Sequence, residues 1–249
     1  MTFTTTNKGV RLANDFRDNL IIDRYNPDLL TMRGSKTASM RSENSEDVLT
    51  WNVFRSLAQI APSFWFPRLH QAVFGGAPPS PAATSVGIHL WKRLQPPPAL
   101  RNFQRDEGES EFDVVIETEY SVWCIEAKFK RDARERTTSN DLRDQVIRNL
   151  DVGSWYAGVR PFDFSLLVLG EERSPTGEAL VSTYGREPPQ LPHRPDGLTN
   201  LRGVAMMRWR QVADVLRDCA QAAREDERPY AEKALAWLEE KSTAARKIG

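Results

Sequence analysis

The sequence predicts an α/β protein in which helices flank a mixed central sheet and a helical extension follows at the C-terminus. Two runs rich in β-branched and aromatic residues, 112–117 and 122–129, surround a polar group and indicate a β-hairpin. A continuous apolar run, 162–169, is typical of a strand covered on both faces. Apolar residues at helical spacing precede and follow these strands.

Residues 1–42 are predicted to form an N-terminal arm, and residues 43–205 the core domain. The first helix of the core is expected to begin with Ser45 as its N-cap, because acidic residues follow in the first turn and suit the helix dipole. Its apolar stripe consists of Leu49, Val53, Leu57 and Ile60. Glu46 lies on the same stripe, which directs a carboxylate inward; alternatively, Glu46 only stabilises the helix N-terminus.

The proline-rich region 62–98 is predicted to be mostly extended loop, with the first strand of the sheet at 86–94. The hairpin comes next along the chain. If Glu119 and Tyr120 form its tip, the facing pairs are Glu117 with Val122, Val115 with Cys124, Asp113 with Glu126, and Glu111 with Lys128.

Side chains alternate along a strand, so one face of this hairpin is expected to carry Asp113, Glu126 and Lys128. The opposite face is wholly apolar and consists of Phe112, Val114, Ile116, Trp123, Ile125 and Ala127. Directly opposed Cβ atoms lie about 4.5–5.5 Å apart, close enough for two carboxylates to share one ion. Since two facing carboxylates repel and are costly to bury, a cation is expected between them. Lys128 supplies one positive charge, and Mg²⁺, which prefers oxygen ligands, would supply the rest.

A helix is predicted after the hairpin, from about residue 141 to 153, with N-cap candidates at 137–140. Gln145 and Asn149 lie one turn apart on this helix. Gln145 could orient Lys128 or contact a phosphate, whereas Asn149 is expected on an exposed polar face.

The C-terminal part is predicted to contain a strand at 179–184, a proline-rich loop at 186–197 and, within 206–249, helices packed on the core. These helices have apolar stripes at Val212, Val215, Leu216 and Cys219 and at Tyr230, Ala234, Trp237 and Leu238. Such stripes favour core packing, and they would also suit a homodimer contact.

Composition excludes several classes of protein. With 34 basic and 34 acidic residues, the zero net charge argues against a general polyanion-coating protein. Basic residues are locally in excess after the hairpin, and they predict either a phosphate track or a solvated surface: Lys128, Lys130, Arg131, Arg134, Arg136, Arg143 and Arg148. Motifs for nucleotide binding or serine hydrolysis do not occur in the sequence.

The cysteines and histidines give no metal-binding spacing. Cys124 and Cys219 lack a C-x-x-C arrangement and are predicted to be buried thiols. His70, His89 and His193 are scattered and are each expected in a loop or on the surface. The N-terminal segment lacks an apolar stretch and no run is long enough to span a bilayer, so a cytoplasmic location without membrane partners is expected.

The order of Asp113, twelve intervening residues and Glu126-Ala127-Lys128 resembles the PD-(D/E)xK nuclease superfamily. The local sequence 107–113, followed by 125–128, is similar to restriction-type endonucleases of bacteria. Phe112 stands where many members have the proline of "PD", a position that is variable in the superfamily and is not a ligand.

This resemblance implies a restriction-endonuclease-like αβββαβ core and a metal-dependent endonuclease acting on DNA. It further implies Mg²⁺, with Mn²⁺ as a substitute, held by Asp113, Glu126 and the Ala127 carbonyl. Many members add an acidic residue from the preceding helix, for which Glu46 is the candidate and Glu43 the substitute. Lys128 would orient the attacking water or stabilise the phosphate, and a glutamine such as Gln145 recurs on the following helix in several branches.

A restriction or phage-defence nuclease is the first hypothesis for the function. The alternatives are a repair or recombination nuclease, such as a junction resolvase, and a nucleic-acid-binding module that does not cleave. A Glu and a Lys two residues apart on a strand are also common as a solvated ion pair, and the short motif occurs by chance in other proteins.

Overall fold

The structure contains a five-stranded mixed sheet flanked by helices, which confirms the predicted α/β class. The computed structural model describes residues 3–7, 10–30, 32–79, 85–100, 108–129, 132–135, 143–170 and 174–247. These residues belong to two compact units. One unit comprises Met1–Trp65 and Ala213–Gly249, and the other is Phe66–Val212.

The N-terminal segment begins with two short antiparallel strands, β1 (Phe3–Thr5) and β2 (Arg11–Ala13). Two 3₁₀ turns, Phe16–Asn19 and Pro27–Leu30, lead to helices α1 (Gly34–Met40) and α2 (Glu46–Leu57). Ser45 Oγ accepts a hydrogen bond from the Val48 N–H at 3.5 Å, so the predicted N-cap of α2 is confirmed. The predicted stripe of α2 is buried throughout: Leu49, Val53, Leu57 and Ile60.

Helix α3 (Pro62–Phe74) occupies a region that was predicted to be extended loop, so that prediction is wrong over its first third. Pro62 stands at the first helical position, where its missing N–H costs nothing. Pro67 lies inside the helix and removes one backbone hydrogen bond there. Burial of Trp65, Phe66 and Leu69 outweighs this loss.

The sheet contains β3 (Gly87–Leu94), β4 (Ser110–Glu117), β5 (Val122–Ala127), β6 (Phe162–Val168) and β7 (Leu201–Arg208), in that spatial order. The first three strands are antiparallel, whereas β5 pairs with β6 and β6 with β7 in parallel. Helix α4 (Gln145–Ala157) connects β5 to β6, and α5 (Pro175–Arg186) connects β6 to β7. The strands predicted at 86–94 and 162–169 are therefore confirmed.

Two elements around β6 differ from the sequence prediction. Residues 179–184 belong to α5 rather than to a strand, because Pro175 begins a helix whose buried residues, Gly177 and Val181, are spaced one turn apart. Helix α4 begins at Gln145 with Asp144 as N-cap, later than the predicted residue 141. The predicted N-cap candidates lie outside the described residues. Strand β7 was not predicted.

Each face of the sheet packs against different elements. Cys124 and Phe164 belong to the apolar core on the side of α4 and α5. On the other side, Trp123 contacts the rings of His70 and Phe74 from α3, with ring centroids 5.7 and 5.3 Å apart. His70 is buried and its Nε2 lies 3.3 Å from Asp163 Oδ2, so the prediction of a loop or surface histidine is wrong here.

The chain ends in α6 (Trp209–Ala222) and α7 (Arg228–Lys247), which confirms two C-terminal helices. Within their unit, α2 packs against α7. The predicted boundaries after residues 42 and 205 stay predictions. Cys124 and Cys219 are buried free thiols, as expected. Among the described residues, no helix has the length and apolar character needed to cross a bilayer.

Candidate active site

The β4–β5 hairpin has the predicted register over four pairs. Val114 faces Ile125, Val115 faces Cys124, Ile116 faces Trp123 and Glu117 faces Val122. The ladder ends there, so the predicted backbone pairs of Asp113 with Glu126 and of Glu111 with Lys128 do not form. Instead, the Asp113 carboxylate accepts the Ala127 N–H through Oδ2 at 2.9 Å. A side chain thus replaces the next rung of the ladder.

Asp113 also lies at an interruption on the other side of β4. The β3–β4 pairing includes Leu90 with Val114 and Lys92 with Phe112, but it omits Trp91, which would face Asp113. Trp91 has a φ of 53°, in the left-handed region that a bulky residue rarely adopts. Strained backbone of this kind clusters at functional sites. Asp113 is therefore the point where both neighbouring strands depart from regular pairing.

Glu126, the next-to-last residue of β5, is 6% exposed and accepts three side-chain hydrogen bonds. Lys128 Nζ and Gln145 Nε2 both donate to Oε1 at 2.6 Å. Asn149 Nδ2 donates to Oε2 at 3.3 Å. A buried carboxylate needs such donors, and here one donor is charged and two are neutral amides.

Helix α4 brings both amides to Glu126. Asp144 Oδ1 accepts the Ile147 N–H at 2.8 Å and so fixes the start of the helix, and residues one turn apart then project in the same direction. Gly153 allows α4 to approach the sheet, since a Cβ at this position would lie 2.4 Å from the Phe162 ring. The prediction that Asn149 belongs to an exposed polar face is wrong, because its side chain is buried and contacts Glu126.

The segment 132–135, after β5, is held beside Gln145. The Gln145 N–H donates to the Arg134 carbonyl at 3.0 Å, and Gln145 Oε1 accepts the Arg134 N–H at 3.4 Å. Asp132 anchors the start of the segment at the N-terminus of α5, where its carboxylate accepts from Ser174 Oγ at 2.5 Å and from the Thr176 and Gly177 N–H groups at 2.8 and 2.9 Å.

These contacts favour the ionised form of Asp132. Burial by itself would raise its pKa, but the hydrogen bonds from the Ser174 hydroxyl and from backbone N–H groups outweigh burial and lower the pKa. A negative charge at this position also suits the positive end of the α5 dipole. The segment that contacts Gln145 is therefore firmly attached to a second helix.

Ala127 can contribute its backbone to the same place. The N–H and C=O of one strand residue point toward the same neighbouring strand. Because the Ala127 N–H points to the Asp113 carboxylate, we expect the Ala127 carbonyl to face the same side, where the β4–β5 ladder has ended. This arrangement suits the ligand role that the family resemblance implies for Ala127.

The site combines carboxylates with an ammonium group. Asp113 and Glu126 contribute two carboxylates, and Lys128 contributes one ammonium group. Glu46, the candidate third carboxylate, is the first residue of α2 and belongs to the other compact unit, so its part in the site stays a prediction. The same holds for its substitute Glu43, whose Oε1 accepts the Arg11 N–H at 3.0 Å. Within the described ranges, no three His, Cys, Asp or Glu side chains form a group that could hold a metal ion.

Most predicted site residues of the hairpin and α4 thus meet in one place: Asp113, Glu126, Ala127, Lys128 and Gln145. Asn149 was missed as a site residue, although its position one turn after Gln145 was a usable signal. Of the predicted basic track, Lys130, Arg131 and Arg136 lie outside the described residues.

Comparison with protein-family models, with curated proteins and with solved structures finds no match to this chain.

Proposed function

We propose that this protein is a metal-dependent DNA endonuclease of the restriction or phage-defence type. The observation that carries the proposal is the arrangement at the end of the β4–β5 ladder. There, Asp113 is tied to the Ala127 peptide, and Glu126 is held by Lys128 and by two amides of α4. The order of helix α3, three antiparallel strands, α4 and the parallel strand β6 supports a restriction-endonuclease-like core.

The donor set fits Mg²⁺. This ion prefers oxygen ligands and is commonly held by one or two carboxylates together with substrate phosphates and water. Asp113, Glu126 and the Ala127 carbonyl would hold it, and Mn²⁺ would substitute. A bound Mg²⁺ would supply Lewis acidity, which lowers the pKa of water and offsets negative charge on the phosphate.

The side chains around the carboxylates have separate tasks. Lys128 has a side chain that is 13% exposed, and its compact ammonium group would donate to the attacking water or to a phosphate oxygen. The amides of Gln145 and Asn149 carry no charge, so they orient Glu126 without cancelling the negative charge that a cation would meet. Precise orientation of this kind is what phosphoryl-transfer sites depend on.

The test is incubation of supercoiled plasmid, linear duplex, single-stranded DNA and RNA with the purified protein and Mg²⁺. We expect nicked and linear products from duplex DNA with the wild type and none with Glu126→Ala. The matched control is Glu119→Ala, which removes an exposed carboxylate at the hairpin tip and should cleave as the wild type does. Equal cleavage by Glu126→Ala, or an inert wild type on all four substrates, contradicts the proposal.

Two further measurements separate the alternatives. A branched-junction substrate that is cut in preference to plasmid would favour a junction resolvase. Calorimetric titration with Mg²⁺ and Mn²⁺, with Asp113→Asn as the control, tests the metal site without any cleavage. Absence of binding that depends on Asp113 would favour a nucleic-acid-binding module that does not cleave.

A further inference from the structure

A nucleic-acid substrate would bring a row of phosphates to a site that contains the carboxylates of Asp113 and Glu126. Proteins hold such a backbone mainly through Lys and Arg side chains. The chain that follows β5 is rich in these residues, and one of those that the structure describes is placed to make such a contact.

Three of the four basic side chains described between 128 and 148 already have partners within the protein. Lys128 bonds Glu126 at 2.6 Å. Arg143 is buried and donates to Asp151 at 2.8 Å, and Arg148 donates to the carbonyls of Gly108 and Glu109 at 3.0 and 3.3 Å. Arg134 differs, because it is exposed and its guanidinium group has no hydrogen bond or ion pair with any described residue.

The backbone of Arg134 is nevertheless fixed beside the site. It exchanges two hydrogen bonds with Gln145, and Gln145 Nε2 donates to Glu126 Oε1 at 2.6 Å. Two residues earlier, Asp132 is bound to the N-terminus of α5. The Gln145 side chain thus connects the main chain of Arg134 to the Glu126 carboxylate, while the cationic group of Arg134 is exposed to solvent.

We propose that Arg134 binds a phosphate of the nucleic-acid backbone next to the phosphodiester that lies at Glu126. This inference rests on the proposed function. A guanidinium group can donate two parallel hydrogen bonds to a phosphate, and a fixed backbone reduces the entropy lost on binding. Replacement of the side chain leaves the backbone bonds to Gln145 in place, so its effect on binding is separable from an effect on the catalytic carboxylate.

The first test is fluorescence anisotropy of a labelled DNA duplex, with EDTA present so that no cleavage occurs. Near 0.1 M salt we expect Arg134→Gln to bind about tenfold more weakly than the wild type, and its log–log salt slope to be smaller by about 0.9, the value of one phosphate contact. Arg134→Lys should keep the wild-type slope.

The matched control is Arg186→Gln, which removes the same charge from the exposed last residue of α5. That residue lies about 16 Å along the helix from the end that Asp132 caps. We expect wild-type binding from this variant. Unchanged binding by Arg134→Gln, an equal loss with Arg186→Gln, or no binding of nucleic acid by the wild type each overturns the inference.

The second test is steady-state cleavage with Mg²⁺. Arg134→Gln should raise KM about tenfold at similar kcat, because the contact serves binding. A fall in kcat without a change in KM would overturn the inference, since the residue would then act through Gln145. If the protein binds DNA through Arg134 but never cleaves it, the proposed function is wrong and this inference stands. If the wild type and Arg134→Gln cleave with equal KM, the proposed function stands and this inference is wrong.

Discussion

The two ends of the β4–β5 hairpin both hold a glutamate beside a lysine, but they balance charge differently. At the closed end, near the tip, Glu117 accepts from Lys92 at 2.9 Å and from Arg160 at 2.7 Å, and Tyr156 also donates to it. Two cations thus surround one carboxylate. At the open end, Glu126 accepts from one cation, Lys128, and from the neutral amides of Gln145 and Asn149.

The two ends of the hairpin also differ in their backbone pairing. Glu117 still pairs with Val122 in a regular ladder, whereas Asp113 lies where the pairing to both neighbouring strands is interrupted. Burial by itself would raise the pKa of Glu117, but the hydrogen bonds from Lys92, Arg160 and Tyr156 outweigh it and lower the pKa to about 2. The charge of Glu117 at the closed end is therefore compensated by side chains of the protein itself. At the open end, the buried carboxylate of Glu126 has one cationic and two neutral donors, so its charge is less fully compensated than that of Glu117.

The largest expected difference between the two ends is in catalysis. If the protein is the proposed nuclease, Lys128→Ala should lower the cleavage rate by more than about 10²-fold, because it removes the ammonium group proposed to donate to the attacking water or to the phosphate. Lys92→Ala should leave kcat and KM unchanged and lower the free energy of unfolding by about 1–3 kcal/mol, since a hydrogen bond to a charged group is lost. Cleavage assays and urea denaturation of both variants measure this. A Lys128→Ala protein that cuts as fast as the wild type would sink the assignment.

Removal of the amides at the open end should have a smaller effect on cleavage. Asn149→Ala is expected to lower kcat about 10-fold, in the range typical of residues that orient a ligand side chain. Gln145→Ala should lower it further, since its bond to Glu126 is 2.6 Å rather than 3.3 Å long. Initial rates with saturating Mg²⁺ test both variants. Wild-type kcat for both would mean that Glu126 needs no support from α4.

Acid should destabilise the closed end in a defined pH window. The pKa of Glu117 is about 2 in the folded protein, below its usual value of 4.5, so its contribution is complete above pH 4.5 and is lost as the pH falls through about 2. With allowance for solvent screening, we expect Glu117→Gln to be less stable than the wild type by about 1–2 kcal/mol at pH 6. Urea denaturation at several pH values should show this gap closing between pH 4.5 and 2, and a constant gap would contradict the prediction.

The smallest expected effect is a gain in stability at the open end. Asp113→Asn keeps an oxygen that can accept the Ala127 N–H but removes one of two like charges, so without divalent ions the free energy of unfolding should rise by up to about 1 kcal/mol. Mg²⁺ at ten times its Kd should stabilise the wild type by about 1.4 kcal/mol and leave the variant unaffected. Thermal unfolding with and without Mg²⁺ measures both, and a less stable Asp113→Asn would show that the carboxylates do not repel.

The errors in the predicted fold have a common physical cause. Residues 179–184 have the composition of a strand, but Pro175 starts a helix there and Val181 is buried in the core. The prolines near α3 suggested a loop, yet Trp65 and Phe66 are buried in a helix. In both places the burial of apolar side chains against distant parts of the chain outweighed local preference. Such burial cannot be read from a short window of sequence.

The sequence by itself determined the hairpin and its register over the four pairs next to the tip, because alternating apolar residues and a polar tip are local signals. It also indicated Asp113, Glu126 and Lys128 as site residues. Only the tertiary structure decided how these side chains are arranged. The strained backbone at Trp91, the close approach of α4 at Gly153 and the burial of Asn149 all depend on contacts between segments far apart in the chain. These contacts orient the Glu126 carboxylate, because orientation requires neighbours on several sides.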